Sequence, residues 1–305
     1  MKSLLFITNL TLISAFLYQT VINKNMYKTI DKNLKLYSKK NNTYFDKSIT
    51  IYTDILSENG ICNRYFGNTD FEKKNLSDKL LITLSPGGIY GFYMLGVCHY
   101  LRENYLINEN DTFIYSGASA GSWSSLIMGY TGNVSNLISN LLNLDFNNTK
   151  SMLDCEIIMK NYILNYCTID QFDFDKIFIS ITTVSFIKDF SLFKLNTEIY
   201  SDFTSLLDAL DCCITSSHIP FITGGLIHFY DNKLAYDGGF INQPYVKNVT
   251  KVLNITPDIW NNKLTFNLNI LNFDKHEIIS LYRSGYADTH KNKKYLDEIF
   301  INIDT

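Results

Sequence analysis

Residues 79–104 read KLLITLSPGGIYGFYMLGVCHYLREN, and residues 111–130 read DTFIYSGASAGSWSSLIMGY. Each stretch begins with a short apolar run, passes through a glycine-rich turn and continues with apolar residues at helical spacing. Two strand–turn–helix units in succession predict parallel strands that are covered by helices. The two stretches therefore predict an α/β fold with both glycine-rich turns at neighbouring strand ends.

Later segments fit the same layout, and there is no internal repeat, long linker or low-complexity segment. The pattern predicts a β-rich segment at 175–186, a helix over 203–217, a hairpin over 225–239 that turns at Asp231–Asn232, a strand over 264–273 and a helical C-terminal segment over 276–300. We therefore expect one α/β domain over residues 79–305, preceded by a polar N-terminal extension over residues 24–78.

The composition is that of a globular protein that does not bind nucleic acid. The chain has 305 residues, 46% of them hydrophobic and 19% charged, and a net charge of −3. Phosphate binding requires clustered lysine or arginine, and the sequence has no basic patch. The spacing of the six cysteines resembles neither a disulfide framework nor a zinc site.

Residues 1–23, MKSLLFITNLTLISAFLYQTVIN, have the order of a targeting segment. Lys2 precedes a mostly apolar stretch from Leu4 to Leu17, which is shorter than the roughly 20 apolar residues of a spanning helix. The segment predicts a signal peptide or, because no clean cleavage site follows, an N-terminal membrane anchor. The protein would then be secreted, retained in the endoplasmic reticulum or secretory pathway, or membrane-anchored. The alternative is an N-terminal helix packed on the core.

The second glycine-rich turn, Gly117–Gly121, matches the pattern G-x-S-x-G between a strand and a helix. In that context Ser119 is held on a sharp turn with its hydroxyl projecting above the sheet edge, and the small flanking glycines permit close strand–helix approach. The positive end of the following helix favours a developing anion. Ser119 is therefore a candidate nucleophile. The alternative is an ordinary turn of small residues.

The first turn, Ser85–Gly91, has no nucleophile between its glycines. Gly87 and Gly88 can present backbone N–H groups to the oxyanion of a tetrahedral intermediate, since no Cβ obstructs a substrate. A phosphate-binding loop is the competing interpretation, but neither G-x-x-x-x-G-K-[ST] nor G-x-G-x-x-G is present. The turn therefore predicts an oxyanion hole.

A serine nucleophile needs a base, and the sequence offers two kinds. His276 and His290 lie in the C-terminal region, where the chain order of an α/β-hydrolase places its histidine. Asp237 precedes Gly238 and Gly239 after a predicted strand, and such a tight bend can direct a carboxylate into a cleft. The alternative for this turn is an ordinary Asp-Gly hairpin turn.

Together these motifs resemble the patatin-like phospholipases in identity, order and spacing. The matching motifs are Ser85–Gly91, Gly117–Gly121, Asp237–Gly239, the small-residue segment Ser216–Pro220, Asn242–Pro244 after the acid, and the C-terminal YRSGYADTHK (282–291). The resemblance implies a three-layer α/β/α sandwich with a mostly parallel sheet, a lipid ester substrate, and a membrane surface as the place of action. It also implies a Ser119–Asp237 catalytic dyad with no metal or other cofactor and no catalytic histidine.

Two residues depart from the pattern of the family. Its first turn usually reads Gly-Gly-Gly-x-Arg-Gly, whereas this chain has Pro86 for the first glycine and Tyr90 for the basic residue. Pro86 removes one N–H donor, and Tyr90 supplies no positive charge for a phosphate. The resemblance predicts a phospholipase A or lysophospholipase that forms an acyl-enzyme and degrades lipids. The alternatives are a transacylase or neutral-lipid esterase, and a lipid-binding pseudoenzyme.

Overall fold

The computed structural model describes residues 76–105, 107, 111–146, 149, 151–187, 192–240, 246, 249–260 and 275–301. The predicted signal or anchor segment 1–23, most of the extension 24–78, the predicted strand 264–273 and the Asn242–Pro244 motif lie outside these residues. Within the described ranges, no helix combines the length and the apolar character that crossing a membrane requires.

Strands and helices alternate through the first half of the described chain. The strands are β1 (Leu80–Leu84), β2 (Phe113–Gly117), β3 (Ile177–Ile187), β4 (Leu192–Tyr200), β5 (Phe229–Tyr230), β6 (Lys233–Tyr236) and β7 (Lys251–Ile255). The α-helices are α1 (Gly91–Asn104), α2 (Ala120–Met128), α3 (Val134–Leu142), α4 (Met152–Tyr166), α5 (Leu206–Ser216), α6 (Lys275–Lys291) and α7 (Lys293–Ile301).

The strands form a mixed, mostly parallel sheet in the order β5-β6-β3-β2-β1-β7, and β4 also pairs with β3. Strands β7, β1, β2 and β3 are parallel to one another, whereas β4 and β6 are antiparallel to β3, and β5 is antiparallel to β6. The predicted α/β class and mostly parallel sheet are confirmed. Strands β4 and β7 were not predicted from the sequence, because their polar residues interrupt any simple apolar run.

The register of β1 and β2 determines where the two glycine-rich turns lie. Leu84 pairs with Gly117, so both strands end at the same level of the sheet. Because parallel strands share one carboxyl-terminal edge, residues that follow β1 and β2 emerge side by side there. The predicted adjacency of the two turns is confirmed.

Both faces of the sheet are buried. Leu80, Ile82 and Leu84 of β1 belong to the main core, which includes residues of all seven described α-helices. Leu81 packs with Ile114 on the opposite face. Burial on both faces explains why β1 reads LLITL, a nearly continuous apolar run without polar alternation. The core therefore holds the sheet edge that carries the glycine-rich turns.

Two local predictions near the later part of the chain are also confirmed. The hairpin between β5 and β6 turns at Asp231 and Asn232, which have φ values of 51° and 57°. Positive φ at both central residues is the geometry that two-residue hairpins favour and that Asp and Asn tolerate. Helix α5 ends at Ser216, two residues before His218 and within one residue of the predicted end.

Candidate active site

Ser119 connects β2 to α2 in a strained backbone conformation. Its φ of 54° and ψ of −130° lie outside the regions that residues with a side chain normally occupy. The residue is 6% exposed, and its carbonyl accepts hydrogen bonds from the N–H and the hydroxyl of Ser122 at 2.9 Å and 2.6 Å. Strain of this kind persists only where the surrounding structure maintains it, and it concentrates at functional sites.

The glycines on either side of Ser119 are required by close backbone approach. A Cβ at Gly117 would overlap the carbonyl of Gly121, and a Cβ at Gly121 would overlap the carbonyl of Leu84 at the end of β1. Strand β2, helix α2 and strand β1 therefore meet at distances that only glycine permits. This is the structural reason for the G-x-S-x-G spacing.

Asp237 follows β6 and is 3% exposed. Its Oδ1 accepts the N–H of Gly239 at 2.7 Å, and its own N–H donates to the carbonyl of His218 at 2.8 Å. Gly238 lies against β3, where a Cβ would overlap the carbonyl of Ser180. The Asp-Gly-Gly turn thereby fixes the carboxylate above the strand next to the one that carries Ser119.

The structure brings Asp237 and Ser119 together. Burial raises the pKa of Asp237 to about 6, whereas interactions with the Ser119 hydroxyl and the Gly239 N–H lower it. The Oδ2 atom is buried and has no hydrogen-bond partner of normal geometry among the described residues. One carboxylate oxygen is therefore held by the backbone, and the other is available to receive a proton.

Residues 216–218, which we call the 216–218 segment, contact both Ser119 and Asp237. The N–H of Ser119 donates to the carbonyl and the hydroxyl of Ser216 at 3.1 Å and 2.9 Å, and Ser216 Oγ donates to the carbonyl of Ser180 at 2.6 Å. The carbonyl of His218 accepts the N–H of Asp237. Sequence analysis recognised this segment only as part of the family resemblance and assigned it no role.

The first glycine-rich turn lies beside the start of α2. A Cβ at Gly91 would come within 2.7 Å of the Ala120 Cβ. Gly88 has a φ of 52°, a left-handed conformation that glycine adopts without strain. Within the described chain, neither Gly87 nor Gly88 uses its N–H in a backbone hydrogen bond. These two N–H groups can therefore donate to a ligand.

The two departures from the family pattern lie in different surroundings. Pro86 packs against the Asp-Gly-Gly turn, and its Cβ would lie 2.9 Å from a Cβ at Gly239. Tyr90 is buried, and its N–H donates to the Gly87 carbonyl at 3.0 Å. Tyr90 is thus part of the packing under the first turn, which favours a structural role over contact with a lipid head group.

The histidine side chains have other partners than the two candidate catalytic side chains. His276 and His290 are on α6, where His290 Nδ1 lies 3.3 Å from the Tyr100 hydroxyl. His218 and His228 stack with ring centroids 4.8 Å apart, and burial lowers their pKa values to about 3 and about 4. Among the described residues, no histidine side chain forms a hydrogen bond with the side chain of Ser119 or Asp237, and no cluster of three or more potential metal ligands occurs.

Glu156 is a buried acid that sequence analysis did not identify. It lies on α4, is 5% exposed, and accepts a hydrogen bond from Trp123 Nε1 at 3.1 Å. Burial and, to a smaller extent, the charge of Asp237 raise the pKa of Glu156 to about 8. No local motif surrounds Glu156 in the sequence, so only the tertiary structure relates it to the site.

Comparisons with known proteins identify the family of the chain. A family model described as patatin-like phospholipase matches residues 82–247, which is more than half of the chain. Among solved structures, the chain is similar to the crystal structure of VipD from Legionella pneumophila with 13% identity and a TM-score of 0.37. That match covers 65% of this chain and 55% of the VipD chain, and no curated protein matches. The chain therefore belongs to the patatin-like phospholipase family.

Proposed function

We propose that the protein is a lipid acyl hydrolase of the phospholipase A or lysophospholipase type, which uses Ser119 and Asp237 as a catalytic dyad. Membership of the patatin-like phospholipase family supports lipid acyl hydrolysis in general. The observation that carries the finer proposal is a strained, buried Ser119 next to a buried Asp237 whose pKa is raised to about 6. A carboxylate with that pKa can act as a general base near neutral pH.

The first half of the proposed reaction forms an acyl-enzyme. Asp237 takes the hydroxyl proton of Ser119 while Oγ attacks the ester carbonyl carbon, and the N–H groups of Gly87 and Gly88 stabilise the oxyanion. The tetrahedral intermediate collapses and the ester C–O bond breaks. The leaving alcohol, a lysolipid or glycerol derivative, takes the proton from Asp237.

The second half regenerates the enzyme. Asp237 takes a proton from water, whose oxygen attacks the acyl carbon on Ser119 Oγ. The acyl–Oγ bond then breaks, the fatty acid leaves, and Oγ recovers a proton from Asp237. Each step needs one base that alternates between charged and neutral forms. The alternative base, histidine, forms no hydrogen bond with Ser119 among the described residues.

The test compares Ser119→Ala, Asp237→Asn and the double variant on a panel of substrates. The panel contains diacyl phospholipid vesicles, a lysophospholipid, a triacylglycerol emulsion and a nitrophenyl acyl ester. Residues that act as one unit are strongly non-additive, so all three variants should fall to a similar residual rate. The wild-type kcat/KM should rise with pH through about 6, because Asp237 must be ionised to act as a base.

Matched controls and contrary outcomes make this test decisive. His276→Ala and His290→Ala should retain wild-type rates, and a fluorophosphonate should label wild type but not Ser119→Ala. Full activity in Asp237→Asn, combined with loss of activity in either histidine variant, would show that the dyad is wrong. Hydrolysis of the triacylglycerol or the nitrophenyl ester without any of the phospholipids would favour the neutral-lipid alternative.

A further inference from the structure

Glu156 is a carboxylic acid in a place where a charge would have no counterion. It is buried in the core, and only one of its oxygens, Oε1, accepts a hydrogen bond of normal geometry, the one from Trp123 Nε1. Oε2 has no such partner within the described chain, and no lysine or arginine there forms an ion pair with it. Because an unpaired buried carboxylate is costly, the environment favours the protonated acid.

The titratable groups around Glu156 support the same charge state. Burial raises the pKa of Glu156 and the negative charge of Asp237 adds to that rise, whereas Ser217 and Trp123 lower it, so that the pKa is about 8. The buried thiols of Cys155 and Cys213 have pKa values raised by burial and are uncharged near neutral pH.

Two further titratable groups on the neighbouring elements are compensated or neutral. Lys160 of α4 forms an ion pair with Asp211 of α5. His218 is uncharged near neutral pH because burial lowers its pKa to about 3. Asp237 is the acid whose negative charge acts on Glu156.

Glu156 lies between the supports of the two candidate catalytic residues. Trp123 is on α2, four residues after Ser119, and Ser217 is the middle residue of the 216–218 segment. That segment accepts the N–H groups of both Ser119 and Asp237. The Glu156 side chain thus holds the helix that follows the nucleophile through Trp123. It also lies near Ser217, whose hydroxyl donates to the carbonyl of Cys213 at 3.1 Å.

We propose that Glu156 is a positioning residue of this active site, whose carboxyl group holds Trp123, and through it the start of α2, in place beside Ser119. The inference rests on the proposed hydrolase function. The effect of Glu156 on the reaction passes through Trp123. An uncharged acid suits this role because it leaves the charge of the site on Asp237, the base.

The kinetic test compares Glu156→Gln with Glu156→Ala on the nitrophenyl ester. Misplacement of catalytic groups can cost roughly a hundredfold in rate, so we expect Glu156→Ala to lose about tenfold to a hundredfold in kcat with little change in KM. Glutamine is neutral, similar in shape and able to accept the Trp123 N–H, so Glu156→Gln should recover most of that loss. Asp208→Ala is the matched control, because it removes a buried acid of α5 that contacts Tyr230 instead.

The pH profile separates positioning from simple packing. Wild-type kcat/KM should rise through about pH 6 and decline above about pH 8, where Glu156 ionises and its charge needs water. In Glu156→Gln, kcat/KM should still rise through about pH 6 but should not decline above about pH 8. A decline that persists in Glu156→Gln, or a Glu156→Gln variant as impaired as Glu156→Ala, would overturn the proposal.

A second readout needs no catalysis. The chain has two tryptophans, so Trp260→Phe leaves Trp123 as the sole indole fluorophore. The fluorescence emission of Trp123 should change with pH around pH 8 in the Trp260→Phe variant. It should not change with pH when Glu156→Gln is added. Absence of that transition would show that Glu156 does not ionise next to Trp123 in this pH range. If no variant hydrolyses any ester, the proposed function fails, while the fluorescence still decides the charge state of Glu156.

Discussion

At the scale of single residues, the candidate site depends on approaches that side chains would prevent. Gly117, Gly121 and Gly238 each face a backbone carbonyl of another strand or turn at a distance too short for a Cβ. Gly239 differs, because the atoms it faces belong mainly to the Pro86 ring. Pro86 stands where the family usually has glycine, so this chain pairs an unusual proline with an obligatory glycine.

This pairing predicts energetic coupling between positions 86 and 239. Gly239→Ala should clash with the Pro86 ring and lower both Tm and kcat/KM. In a Pro86→Gly background the same substitution should be milder, since only the Asp237 Oδ1 contact remains. Contacting residues commonly couple by about 0.5–3 kcal/mol, and a double-mutant cycle over the four proteins measures that value. Identical effects of Gly239→Ala in both backgrounds would refute the contact.

At the scale of elements, the carboxyl-terminal end of α5 organises the site. The 216–218 segment accepts the N–H of Ser119 and the N–H of Asp237, and it is anchored to β3 through the Ser216 hydroxyl. The Ser119 N–H is therefore engaged by this segment and is not the donor in the proposed oxyanion hole, for which Gly87 and Gly88 remain the candidates.

Removal of the Ser216 hydroxyl tests this arrangement. Ser216→Ala deletes one of two acceptors of the Ser119 N–H and the bond to the Ser180 carbonyl. A hydrogen bond contributes about 1 kcal/mol net, so we expect a roughly fivefold fall in kcat with KM nearly constant. Ser201→Ala, which removes an equally buried hydroxyl bonded to Asp202, is the control and should leave kcat at the wild-type level. Equal kinetics in the two variants would contradict a role for Ser216.

At the scale of the whole molecule, two acids are kept in the core at a cost in stability. Asp237 and Glu156 have pKa values raised to about 6 and about 8, above the ~4 of an unfolded chain. Between the unfolded and folded pKa values the native state binds more protons than the unfolded state. The free energy of unfolding then decreases as pH rises.

These shifts predict how stability depends on pH. Each acid's contribution to the free energy of unfolding is fully present below about pH 4 and is lost as pH rises. The loss is complete by about pH 6 for Asp237 and by about pH 8 for Glu156. The slope is at most about 1.4 kcal/mol per pH unit for each acid. The free energy of unfolding can be measured with urea from pH 4 to 9. Relative to wild type, that of Glu156→Gln should increase up to about pH 8, and that of Asp237→Asn should increase only up to about pH 6. Parallel curves for wild type and both variants would exclude raised pKa values.

Much of the fold follows from local patterns in the sequence. The apolar runs that end in glycine-rich turns predicted β1, α1, β2 and α2, and the Asp-Asn pair predicted the hairpin turn, since these features depend on neighbours along the chain. The same patterns predicted the α/β class and the family, both confirmed. Ser119, Asp237, Gly87 and Gly88 were identified as candidates, and their catalytic roles stay predictions.

Contacts between distant segments were decided only by the tertiary structure. Glu156 lies 33 positions from Trp123 in the chain, and Ser216 lies 97 positions from Ser119. No spacing rule relates residues so far apart, because their proximity arises from sheet register and helix packing. The sequence by itself determined which residue types stand at the strand ends, through local turn chemistry. The assembled sheet decided which buried acid and which helix end surround them, since burial and long-range hydrogen bonds exist only in the folded chain.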